Sequence, residues 1–132
     1  MTMADIAHTG SCLCGGVTFT VAGPLAPASA CHCGQCRRQS GHVWASTHVP
    51  RASLSLGSDT SLRWYASSDS ARRGFCGTCG SVLFWQHNDE DDISISMGAF
   101  DAPTGTRLAR HIFVAHKGDY YEIADDLPQQ AQ

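Results

Sequence analysis

Seven cysteines fall in three short clusters. The first is Cys12-Leu13-Cys14, followed by Gly15-Gly16. The second is Cys31-His32-Cys33-Gly34-Gln35-Cys36, and the third is Cys76-Gly77-Thr78-Cys79, followed by Gly80. Thiolates at such spacing are candidate metal ligands. A C-x-x-C turn points both sulfurs at one ion, and a glycine after it lets the backbone bend under that ion. Structural zinc is closed by four ligands, whereas catalytic zinc keeps three protein ligands and one open position. A division into four plus three uses every cysteine. Cys12, Cys14, Cys76 and Cys79 then close one site, and Cys31, Cys33 and Cys36 leave the other open. Spacing alone leaves other divisions standing. Cys33 and Cys36 could join Cys76 and Cys79 in a zinc ribbon, or His42 could complete the three-cysteine site. Both zincs could also be structural, because small β domains often need metal staples. His32 points away if the cysteines on either side of it bind one ion.

The rest of the chain narrows the setting. Residues 1–10 hold Asp5 and His8 and no apolar run, so they do not read as a secretory signal. No stretch approaches the roughly 18 apolar residues of a membrane helix. The expected location is the reducing cytoplasm, where close cysteine pairs bind metal more often than they form disulfides. A net charge of -3 and a single lysine, Lys117, leave no basic footprint for nucleic acid. The acidic run Asp89-Glu90-Asp91-Asp92 reads as a solvated hairpin loop.

The elements that must position the cysteines are mostly strands. Val17, Phe19 and Val21 alternate with threonines. Val43, Ala45 and Thr47 alternate with Trp44, Ser46 and His48, while Leu54 and Leu56 alternate with serines, and so do Ile93, Ile95 and Met97. This period of two is the strand signature. Residues 81–85 and 112–115 read as more buried strands, and residues 33–40 as the one short helix. The expected fold is mainly β, a single zinc-stapled domain of antiparallel sheets over residues 10–128. Residues 1–9 are expected to be flexible, and residues 129–132 to form a frayed tail. Trp44, Trp64 and Trp85 read as core or rim.

These motifs make the chain resemble the glutathione-dependent formaldehyde-activating enzyme family, which includes the domain of centromere protein V. The resemblance rests on Gly10-Ser11-Cys12-Leu13-Cys14-Gly15-Gly16-Val17 and on the run from Cys31 through Cys36 to Arg37-Arg38-Gln39-Ser40-Gly41. It continues in Arg73-Gly74-Phe75-Cys76-Gly77-Thr78-Cys79-Gly80-Ser81, His111-Ile112-Phe113-Val114 and Tyr121-Glu122-Ile123-Ala124-Asp125-Asp126-Leu127-Pro128. It implies a β-tent fold and two zinc ions per chain. Cys12, Cys14, Cys76 and Cys79 would hold the structural ion, and Cys31, Cys33 and Cys36 the catalytic one. It also implies a carbon–sulfur lyase whose partners are a small-molecule thiol such as glutathione and a small aldehyde such as formaldehyde.

The residues are consistent with that chemistry. Three thiolates on a divalent zinc leave a net charge of about -1, a weak Lewis acid that accepts a further sulfur more readily than it ionises water. A thiol ionised there could attack a carbonyl carbon to form a hemithioacetal. Arg37 and Arg38 directly follow the three-cysteine cluster and are candidate partners for glutathione carboxylates, with Arg72 and Arg73 as second choices. Ser40 and His42 complete the candidate substrate-binding set, His42 as a proton donor. A zinc-stapled binding module without chemistry is the competing reading.

Overall fold

The computed structural model describes residues 6–132. Among the described residues ten strands and one helix follow one another. They are β1 (Ala7–Ser11), β2 (Thr18–Ala22), β3 (Ala28–Cys31), α1 (Gly34–Ser40), β4 (Trp44–Pro50), β5 (Leu54–Ser58), β6 (Leu62–Ala66), β7 (Ala71–Cys76), β8 (Val82–His87), β9 (Asp92–Ser96) and β10 (Leu108–Ile112). The chain is mainly β, with two sheets. The smaller runs β1-β2-β5 and the larger runs β10-β3-β4-β9-β8-β7-β6. Every named pair is antiparallel except β10 with β3.

The period-2 runs found their faces. Phe19 and Val21 of β2, with neighbouring Val17, are buried against Val49 of β4, Leu83 and Phe84 of β8, and Ile93 and Ile95 of β9. This core lies between the two sheets. Phe19 packs edge-on to Phe84 and Phe100, with ring centroids 5.7 and 5.3 Å away. Burying each such side chain contributes ~1.5–3 kcal/mol, which is enough to set strand register. The alternation of β9 turns Ser94 onto the other face of the large sheet, away from Ile93 and Ile95.

Several expectations change. The strand expected over residues 112–115 lies earlier, at Leu108–Ile112, and Val114–His116 form a 3-10 turn. Strand β1 starts at Ala7, ahead of Gly10, and pairs with β2 from Ala7 to Ser11; residues 1–5 lie outside the described residues. Strands β3, β6 and β7 fall outside the period-2 runs picked out above and pair with their neighbours in the large sheet.

The tail is not frayed. The amide of Gln130 donates to the carbonyl of His111 (2.9 Å), that of Val114 to Gln130 (3.0 Å) and that of Ala115 to Ala131 (3.2 Å). A polar composition suggested fraying, but main-chain pairing does not depend on side-chain polarity. Deleting residues 129–132 removes these three bonds and should lower stability by about 1.5–4.5 kcal/mol, at ~0.5–1.5 kcal/mol per hydrogen bond lost. Urea unfolding of the truncated chain measures this, and an unchanged midpoint would show that the pairing contributes nothing.

Candidate functional site

The cysteines gather into two groups, four plus three. The sulfurs of Cys12, Cys14, Cys76 and Cys79 all lie within 4.8 Å of one another, and so do those of Cys31, Cys33 and Cys36. In the first group Cys12 to Cys14 and Cys14 to Cys76 are each 3.7 Å apart. Four sulfurs placed ~2.3 Å from a common centre at tetrahedral corners would be about 3.8 Å apart, so the group has the dimensions of a closed metal site. Two tight turns make it. Cys12 and Cys14 leave the end of β1, with the amide of Gly15 donating to the Cys12 carbonyl at 3.3 Å. Cys76 ends β7, and the amide of Gly80 returns to its carbonyl at 2.8 Å. Gly80 takes φ +82°, a left-handed conformation that glycine adopts without a Cβ clash.

Hydrogen bonds favour the ionised form of Cys76 and Cys79, whereas Cys14, despite the amide of Gly16, is pushed up to about 11 by its bonds to Cys12 and Cys76. The Ser61 hydroxyl (3.2 Å) and the amide of Cys79 (3.4 Å) hold the Cys76 thiol down at about 7. The Ser81 hydroxyl (3.2 Å) and backbone amides hold Cys79 at about 5. Gly16 is required beside them, because a Cβ there would lie 2.4 Å from the Ser61 hydroxyl oxygen.

The second group is built on α1. Cys31 ends β3. Cys33 caps the helix, its sulfur accepting from the amide of Cys36 at 3.3 Å, and Cys36 is buried in the first turn. This group faces a cavity of about 630 Å³. The opposite wall is the face of the large sheet turned away from the core. There Arg73 pairs with Trp85 across β7 and β8, and Trp85 pairs with Ser94 across β8 and β9, so the three form one cross-strand row.

Arg73 is the arginine of this site. Only 6% of it is exposed. Its guanidinium lies 3.6 and 3.7 Å from the Cys36 sulfur, and it donates to the Gln39 and Gln35 side-chain oxygens at 3.1 and 3.3 Å. Its Nε is buried without a partner. Among the described residues the one ion pair joins His111 to Asp125, so no carboxylate balances Arg73. A buried guanidinium needs an anion, and here the neighbouring sulfur supplies it. The bond from Cys31 and the Arg73 guanidinium hold Cys36 down at about 6, whereas that same bond and burial push Cys31 up.

The other candidates lie elsewhere. Arg37, Arg38, Ser40 and His42 are not among the residues lining the cavity. Arg38 is exposed, and Ser40 accepts from the amide of His42 at 3.3 Å. His42 bonds Tyr120 at 2.6 Å through Nδ1 and is not part of the three-cysteine group. His32 points away from the sulfurs. It is buried between the Tyr121 hydroxyl and His111 Nδ1 (2.9 Å), and His111 Nε2 reaches Asp125 at 2.9 Å. Burial keeps the His32 ring below its usual range, and the bond from His111 holds Asp125 low. Trp44 and Trp85 line the cavity, while Trp64 stacks on Phe84 and carries Arg72 over its ring at 3.9 Å.

A mainly β chain with two sulfur clusters, one closed and one facing a cavity, belongs to the class of metal-site candidates that could bind a small molecule. The chain matches the glutathione-dependent formaldehyde-activating enzyme family over residues 7–116 and belongs to that family. A Schizosaccharomyces pombe protein named an uncharacterized lyase is 26% identical over 123 residues, spanning 89% of this chain and 86% of that one. A crystal structure of a Rhodobacter sphaeroides protein shares the fold with a TM-score of 0.57 at 22% identity, over 92% of this chain and 98% of that one. Family and relative together support a lyase activity related to glutathione and formaldehyde. Among the described residues no helix is long and apolar enough to cross a membrane.

Proposed function

We propose that the chain is a zinc-dependent carbon–sulfur lyase that makes and breaks the hemithioacetal of glutathione, or a related thiol, with a small aldehyde. The observation that carries this reading is the three-sulfur group facing the cavity, where a fourth ligand could enter. A zinc ion held by Cys31, Cys33 and Cys36 would supply a soft position that keeps a substrate thiol ionised at neutral pH. Arg73 offsets the negative charge of three thiolates, so that a further anionic sulfur meets less repulsion. Gln35 and Gln39 hold the guanidinium in place. Trp44 and Trp85 keep water from the reacting carbon. Cys12, Cys14, Cys76 and Cys79 would hold a second, structural zinc.

Cobalt in place of zinc tests the reading, because its visible spectrum follows ligand type and number. Glutathione should add a sulfur-to-metal charge-transfer band, and an oxygen-only analogue should not. No change with any thiol would leave a doubly stapled binding module. Arg37 and Arg38 directly follow the three-cysteine cluster in sequence but lie outside the cavity lining, and they are proposed to meet the carboxylates of a glutathione whose body stays outside the cavity. Replacing both by alanine should then weaken glutathione at least tenfold more than an uncharged thiol, at ~1.5–3 kcal/mol per charged hydrogen bond.

The Arg73→Met substitution should weaken zinc at the three-sulfur site about tenfold or more, read by chelator competition, because a charged hydrogen-bond donor to the ligand sulfur is lost. Arg73→Lys should recover part of the loss. Equal affinity in all three proteins would show that Arg73 only packs.

A further inference from the structure

The cavity is far larger than formaldehyde requires. Its volume of about 630 Å³ lies in the range of sites for drug-sized ligands. Beside the three sulfurs most of the wall surface is apolar, from Trp44, Trp85, Ile112, Phe113 and Ala71, with Gln35 and four serines interspersed. No carboxylate and no lysine line it; its ionisable groups other than the cysteines are Arg73, already committed to Cys36, and His116. Glutathione carries two carboxylates and an ammonium group, and such a body is poorly served by these walls. An apolar group is well served.

Phe113 adds an independent observation. It adopts φ 55° and ψ 37°, the left-handed region, and is the one non-glycine residue with positive φ among the described residues. A bulky side chain is strained there and persists only where the surroundings impose it. The conformation carries the Phe113 ring against the cluster of Cys31, Cys36 and Trp44. The fold therefore tolerates strain to complete an aromatic wall that formaldehyde, with only hydrogens on its carbonyl carbon, would not touch.

We propose that this cavity receives an aromatic or branched aliphatic group on the carbonyl carbon of the thiol adduct, so that the preferred aldehyde is larger than formaldehyde. The proposal rests on the lyase reading and names the substrate class of that same site. The adduct is a thioether carrying a hydroxyl on the carbon next to sulfur. In the lyase direction the carbon–sulfur bond breaks and its electron pair leaves on sulfur. The hydroxyl loses its proton as the carbon–oxygen double bond forms, and that proton returns to the released thiolate through solvent. One adduct gives one thiol and one aldehyde, with no oxidant or reductant.

The metal-loaded protein tests the proposal without relying on turnover. S-benzylglutathione and S-methylglutathione are stable thioethers that differ only in the group offered to the cavity. Titration followed by tryptophan fluorescence, with Trp44 and Trp85 in the walls, should show the benzyl compound binding at least about tenfold tighter, because each methylene in such a pocket discriminates by ~10-fold or more. The glutathione adduct of benzaldehyde should also exceed that of formaldehyde in kcat/KM by about tenfold. Ser94→Phe, which fills the cavity from the Arg73-Trp85-Ser94 row, should lower the benzyl-to-methyl preference at least tenfold. Equal or reversed preference in the wild-type protein, with the formaldehyde adduct still turned over, overturns the proposal and leaves the lyase reading standing. If neither thioether binds and neither adduct is turned over, both fall.

Discussion

Replacing Cys76 by serine should leave the chain largely unfolded at room temperature. Cys76 has no exposed surface and belongs to the group whose sulfurs have tetrahedral spacing. The group joins the turn after β1 to the end of β7, across 62 residues between Cys14 and Cys76. Metal binding at a structural site of this kind contributes ~10–16 kcal/mol in small zinc domains, as much as the whole stability of an ordinary domain. Serine keeps the size and a hydrogen-bond acceptor for the Ser61 hydroxyl but loses the soft thiolate. Circular dichroism melts measure the effect. A melt within a few degrees of wild type would show that the core between the two sheets holds the fold without this site.

Cys36→Ser should give the opposite pattern. The fold should stay cooperative, because α1 is short and the main core does not include Cys36. The second metal should be lost, giving one ion per chain by elemental analysis against an expected two in the wild type. Activity should fall about a thousand-fold or more, since ~4 kcal/mol of barrier corresponds to three powers of ten. Arg73 would lose its sulfur partner in the same variant, which adds a buried charge cost. Two metals retained with full activity would mean that Cys31 and Cys33 suffice. Loss of the fold equal to that of Cys76→Ser would mean that both sites are staples.

The two sulfur groups were legible in the sequence because ligand chemistry restricts residue type and spacing together. Two pairs and one triplet admit few divisions, and the structure has the four-plus-three arrangement. The core strands were legible for a similar reason, since Phe19, Val21, Ile93 and Ile95 carry the period of two. The cavity was not. Its row of Arg73, Trp85 and Ser94 comes from three strands and is created only by register. Ser46 and Ser94 stood out only as the alternating partners of apolar residues, and alternation tells which residues share a face and not what covers it. By sequence Arg73 pairs with Arg72 as a second-choice partner for glutathione carboxylates. The difference between them is depth, since Arg73 is buried and Arg72 exposed although they are neighbours. Gln35 and Gln39 stand one helical turn apart, a spacing that reads as one face of α1 but gives no hint of an arginine from β7.

The parallel pairing of β10 with β3 bears on the order in which a new chain acquires its parts. Cys31, Cys33 and Cys36 span six residues and can gather as soon as they leave the ribosome, because the loops they close are short. The other cluster must wait for Cys79. The cavity waits longer still, since β3 gains β10 only when Leu108–Ile112 emerge, and Phe113 and Gln130 follow. Between residue 36 and residue 113 the nascent chain carries a three-thiol cluster with no aromatic wall from Phe113 and no strand β10 beside it. During synthesis, more than in the finished protein, that cluster is open to oxidation and to the wrong metal ion.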